Sequence, residues 1–246
     1  MLKIATQRTT LEVADGTSMN AYTARPAEEG KFPGMLVFQE AFGVNAHIRD
    51  ITERVAREGY VAIAPEFFHR TAPGFEGSYT DFPAAMPHIQ AMTEENQIKD
   101  IAAAYDWLKT HPQAVSDRIS SIGFCMGGRM SFLAASTVPL RAAISFYGGG
   151  IAPALLPRAA NLSAPMLFFW GGLDKHIPPE QIRTVLDELN RVGKPYVNVE
   201  ISHADHGFFC DVRASYNPVA ADLAWTLSLK FLDTRVQGDG QKAHVA

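Results

Sequence analysis

Cysteine is scarce in this chain: only Cys125 and Cys210 occur in 246 residues. Two cysteines cannot staple a small loop-rich fold, and so few thiols suit a reducing compartment. Long apolar runs are missing as well. No stretch approaches the ~20 residues that a helix needs to cross a bilayer. The opening MLKIATQRTTLEVADG lacks the apolar segment and small-residue cleavage site of a secretory signal. A cytoplasmic location without membrane attachment is therefore expected. Nor is there a basic stripe. The 22 Lys and Arg are scattered among 26 Asp and Glu, giving a formal charge of −4, so nucleic acid is not an expected partner. Linkers, low-complexity tracts and internal repeats are also absent. Residues 1–235 are expected to form one domain, and 236–246 a polar, glycine-containing tail.

What is present is patterned. TTLEVADGTSMNAYTARP alternates on either side of Asp15-Gly16, a pair that favours a tight hairpin turn. GMLVFQE, from Gly34 to Glu40, is nearly continuous apolar sequence, as expected of a strand covered on both faces. Asn45 then stands where it can cap a helix carrying Ile48, Ile51, Thr52 and Val55, and Gly59 closes it. Further strands are read at YVAIAPE, RISSIGF, RAAISFYG, PMLFFWG and YVNVEIS. Helices alternate with them, around Ile98–Leu108, Met126–Ser136, PEQIRTVLDELNRVG and Pro218–Leu232. The Pro-, Gly- and aromatic-rich stretch from Phe67 to Pro87 is expected as an excursion over one end of the sheet. The alternation predicts an α/β fold with a mostly parallel central sheet, an N-terminal antiparallel hairpin and helices on both faces. Ligands of such sheets bind at the carboxyl ends of the strands.

One strand ends in SIGFCMGG, which places Cys125 between Gly123 and Gly127 at a strand-to-helix junction. A turn sharp enough to project a nucleophile requires minimal side chains two residues before and after it. The helix N-terminus would favour the thiolate, the reactive form of cysteine. Cys125 alone would equally suit a buried apolar filler. A nucleophile needs a base, and the base an orienting acid; on such sheets they follow in the order nucleophile, acid, histidine. LFFWGGLDKHIPP places Asp174 after an apolar strand, and VEISHADHGFF places His206 after the last one. Taken singly, Asp174 also reads as a surface acid opening a helix and His206 as a solvated loop residue.

The ordered motifs QEAFGVN, APEFFHRTAPG, GFCMGG, FYGGG, GGLDKHIPP and HADHGFF resemble the dienelactone hydrolase (carboxymethylenebutenolidase) family of α/β-hydrolases over almost the whole chain. The resemblance implies a cofactor-free carboxylic ester hydrolase with no metal, cleaving a small ester or lactone through a covalent acyl-enzyme. Cys125 would be the nucleophile, His206 the base and Asp174 its orienter; His206 is preferred to His203 because it precedes Gly-Phe. The resemblance also implies that Glu40 lies beside the nucleophile and helps form the thiolate, although a turn carboxylate facing water would look the same. Main-chain amides of Ala41 and Met126 are the candidate oxyanion donors. Tyr147 is placed in the pocket or in the core beneath it.

The chain departs from that pattern in its arginines. Members acting on dienelactone carry an arginine four residues after the histidine, where Cys210 stands here, and another after the Pro-Gly loop, whereas no arginine occurs from Thr71 to Asp117. Arg70 and Arg213 are the candidate replacements. Cys210 is a candidate for lining the pocket or for oxidation with Cys125, against an inert packing role. The expectation is a preference for neutral esters or lactones. Alternatives are a hydrolase of neutral aryl or alkyl esters or of thioesters, and a ligand-binding or redox-sensing protein of the same fold.

Overall fold

The structure, a computed structural model, describes residues 2–236. The hairpin forms as its alternation requires. Strands β1 (Ile4–Glu12) and β2 (Ser18–Pro26) pair antiparallel, and Gly16 in the turn takes φ +84°. Strands β3 (Phe32–Phe38), β4 (Val61–Pro65), β5 (Ala114–Phe124), β6 (Ala143–Phe146), β7 (Met166–Gly171) and β8 (Tyr196–Ile201) complete one eight-stranded sheet. Its order is β1-β2-β4-β3-β5-β6-β7-β8. Every pairing from β4 to β8 is parallel.

Helices α1 (Ala46–Arg57), α3 (Glu94–Thr110), α4 (Met126–Ala135), α5 (Pro179–Arg191) and α6 (Pro218–Val236) match the expected segments. Asn45 caps α1, its side-chain oxygen accepting from the Ile48 amide at 3.2 Å, and Gly59 takes φ +88° beyond its end. Strands β4, β6 and β7 are buried along their whole length, which is why they read as continuous apolar runs. Each fully buried large apolar side chain contributes about 1.5–3 kcal/mol. The core is therefore ample to hold the loops at the sheet's edge in place.

The excursion after β4 differs from expectation. It contains a further helix, α2 (Phe82–Ala91), started by Asp81 accepting from the Ala84 amide and by Pro83 in its first turn. Only Ala85 of this helix is buried, and Pro87 interrupts it, so no apolar stripe announces it. At the carboxyl end of the chain, Val236 still belongs to α6, while the rest of the expected tail, 237–246, lies outside the described residues. No helix among the described residues is long and apolar enough to cross a membrane.

Parallel strands deliver their exits to one edge. Glu40 follows β3, Arg70 follows β4, Cys125 follows β5, Tyr147 follows β6, Asp174 follows β7 and His206 follows β8.

Candidate active site

The junction at Cys125 is as tight as its glycines require. Cys125 takes φ +55° and ψ −117° between β5 and α4, a conformation that a residue with a side chain rarely adopts. A Cβ on Gly123 would run into the Gly127 carbonyl, and one on Gly127 into the carbonyls of Phe38 and Gln39. Helix α4 thus starts against the end of β3, leaving the half-buried Cys125 sulfur at the cavity. Met126 opens α4, where the first amides have no partner within the helix. Ala41 and Met126 both line the cavity.

The exits of β7 and β8 are pressed together by a second pair of glycines. A side chain on Gly171 would meet the Ala204 carbonyl at 2.6 Å, and one on Gly172 would meet Ser202 Cα at 2.7 Å. That approach brings Asp174 to His206. Asp174 Oδ1 accepts from the amides of His176 (2.7 Å) and Ile177 (3.3 Å), which leaves Oδ2 to bond His206 Nδ1 at 2.7 Å. His206 Nε2 lies 3.1 Å from Cys125 Sγ. Burial disfavours the imidazolium, but the bonds to Asp174 and Cys125 outweigh it and push the His206 pKa up to about 10. Burial also opposes charge on Asp174, and its bond to His206 reverses that effect and holds the carboxyl below its ordinary range. His203 is exposed on the far side of the turn, its carbonyl accepting from Asn217.

Glu40 is completely buried. Its carboxylate accepts from the Tyr79 hydroxyl at 2.7 Å and from Arg213 at 3.2 Å. Asn45 donates in turn to Tyr79 at 3.1 Å, so the residue that caps α1 also fixes the phenol. Burial and the Glu40 charge raise the Tyr79 pKa, keeping it a protonated donor. The cavity above has a volume of about 640 Å³. Phe42, Tyr79, Phe82, Ile89 and Met92 line it together with Cys125, His206, Arg213 and Arg129.

The chain as a whole is similar to known proteins. The profile of the dienelactone hydrolase family matches residues 19–236. The chain belongs to that family. Relatives bearing the name "Putative carboxymethylenebutenolidase" include one from Synechocystis sp., 38% identical over 226 residues (88% of this chain, 92% of the relative). Another, from Escherichia coli O157:H7, is 35% identical over 228 residues (89% and 83%). Among solved structures, the "Putative Dienelactone Hydrolase" of Klebsiella pneumoniae superposes with a TM-score of 0.85 at 31% identity, covering 94% of this chain and 98% of that one. The fold is that of the α/β-hydrolases, and the protein is a dienelactone hydrolase-like carboxylic ester hydrolase acting on a small ester or lactone.

Against the dienelactone hydrolase pattern, the structure sorts the remaining candidates. Arg70 does not reach the cavity. Its guanidinium makes two 2.8 Å bonds to Asp100, which is 1% exposed, and bonds Asp15 at 2.7 Å. Arg213 does line the cavity, but it is committed to Glu40. Tyr147 is buried below His206, ring centroids 5.1 Å apart, and is not part of the cavity wall. Cys210 is buried beside Glu40, and burial with the Glu40 charge pushes its thiol up to about 11; both cysteines are free. With His47 and Glu40 it forms a group whose ligand atoms lie within 4.8 Å of one another, a proximity that the sequence does not announce. A metal ion there would have to share Glu40 with the Arg213 guanidinium. Tyr79, Gln97 and Arg129 are cavity residues that sequence reasoning missed. Arg129 had one available signal, its place four residues after Cys125 in GFCMGGR.

Proposed function

We propose that this protein hydrolyses its ester or lactone with Cys125 as nucleophile, through an acyl-thioester. The unbroken chain Cys125 Sγ–His206–Asp174, with steps of 3.1 and 2.7 Å, carries this reading. In the resting site the thiol proton is carried by His206, whose imidazolium is stabilised by Asp174. The thiolate attacks the carbonyl carbon. The resulting oxyanion takes hydrogen bonds from the Ala41 and Met126 amides. Collapse breaks the C–O bond, and the leaving alkoxide takes the proton from His206. Neutral His206 then removes a proton from water as that water attacks the thioester. Expulsion of the thiolate releases the acid and returns the site to its starting state. Glu40, which accepts from Tyr79 and Arg213, fixes Arg213 at the cavity wall.

Stoichiometric iodoacetamide should abolish turnover of a 4-nitrophenyl ester while labelling Cys125 in peptide mass spectra. Cys125→Ala should fold and lose nearly all activity. Full inactivation with unmodified Cys125, or normal turnover by Cys125→Ala, would sink the assignment.

A further inference from the structure

The cavity holds a second arginine, which has no carboxylate partner among the described residues. Arg129 lies one helical turn beyond Cys125, its amide facing the Cys125 carbonyl at 3.4 Å. Its Nε donates to the Gly150 carbonyl at 3.2 Å and its NH1 donates to Gln97 Oε1 at 2.9 Å. Both acceptors are neutral. Among the described residues no carboxylate lies within 4.0 Å of its guanidinium, in contrast to Arg213 and Arg70. The carboxylate that attracts it, Glu94, is itself bonded to Arg158 at 2.7 Å. Burial disfavours the Arg129 charge, so the cation is desolvated without being neutralised. Gln97 is buried and accepts through Oε1, so its amide NH2 remains a donor at the same wall.

A planar guanidinium with free N–H groups beside an amide donor suits a carboxylate. Side chains on a helix lean back toward its N-terminus, so the group held here would lie within a few bonds of the carbonyl that Cys125 attacks. We propose that Arg129, supported by Gln97, is an anion subsite that selects esters or lactones carrying a carboxylate close to the scissile bond. This rests on the hydrolase reading above and reverses the preference for neutral substrates that the absent arginines suggest. Specificity for the anion would come from α4 and α3 instead of from the loop after the histidine.

The test compares 4-nitrophenyl hydrogen succinate with its methyl-capped neutral diester, 4-nitrophenyl methyl succinate. A charge-assisted contact implies that the wild type favours the anionic ester by about 10- to 100-fold in kcat/KM. Arg129→Gln should lower the ratio of the two specificity constants by about that factor, mainly through KM. Arg129→Lys should recover part of it, and added salt should narrow the wild-type ratio. A wild-type preference for the neutral ester overturns the inference. So does an equal loss on both esters in the Arg129→Gln variant, which would make Arg129 a brace between α3 and the Gly150 loop. If Arg129→Gln does not fold, Arg129→Lys decides: a ratio equal to wild type at every salt concentration, with no salt dependence, overturns it too. Turnover of neither ester by the wild type overturns the hydrolase reading itself, whereas turnover of both with an Arg129-independent ratio overturns this inference alone.

Discussion

His206 is where the electrostatics of the site become measurable. Its pKa is pushed up to about 10 from an ordinary 6.5. A group whose pKa rises on folding contributes stability fully below its unfolded value, and loses it as pH climbs through the folded value. Thermal unfolding midpoints should therefore fall between about pH 6.5 and 10. His206→Gln, which removes the titrating ring, should flatten that part of the curve. A wild-type midpoint constant from pH 7 to 10 would contradict the ion-pair description of Cys125, His206 and Asp174. Asp174, depressed instead, acts on the acid side: its contribution is present above the ordinary carboxylate range and is lost as pH falls through its lowered pKa.

The loop after β8 does two jobs at the scale of elements. Its residue Gly207 takes φ +79°, and a Cβ there would meet the Arg213 guanidinium. The same turn presents His206 on one side and leaves room on the other for Arg213 to reach Glu40. Gly207→Ala should displace Arg213 from Glu40 and add backbone strain of about 1–2 kcal/mol. The expected result is a lower unfolding midpoint together with reduced kcat/KM. A variant with wild-type activity would show that the Arg213–Glu40 contact does not matter to turnover. Helix α2 illustrates the opposite relation to sequence. It is mostly exposed and proline-interrupted, and it earns its place by carrying Phe82 and Ile89 to the cavity wall. Its one local mark in the sequence is the capping Asp81, set in a stretch whose proline and glycine read as loop.

Across the molecule, Arg70 ties the N-terminal hairpin, the exit of β4 and helix α3 together through Asp15 and Asp100. Asp100 is almost fully buried, and its desolvation raises its pKa even with the guanidinium in contact. Removing the cation would strand a buried carboxylate, a change that costs about 3–5 kcal/mol when a buried pair is broken. Because the Arg70 side chain is 20% exposed, the lower end of that range applies. Arg70→Ala should thus lower the unfolding midpoint by several degrees while the folded enzyme keeps its KM. A selective rise in KM without loss of stability would return Arg70 to substrate binding.

The sequence by itself determined the strand–helix alternation, the hairpin at Asp15-Gly16 and the positions of Cys125, Asp174 and His206 at strand exits. Local chemistry was enough there, because burial writes apolar runs and a sharp elbow demands glycine at Gly123 and Gly127. Family likeness added Glu40. Only the tertiary structure decided which cations face the cavity. Arg70 and Arg129 look alike in sequence, but one is consumed by Asp100, 30 residues away, and the other donates, among the described residues, to neutral oxygens of Gln97 and Gly150. Likewise Tyr79, Cys210 and Arg213 gather around Glu40 across up to 173 positions of chain. Charge pairing depends on distance in space, weakening as the charges separate, and a chain folded through a crossed sheet order does not record that distance in its spacing.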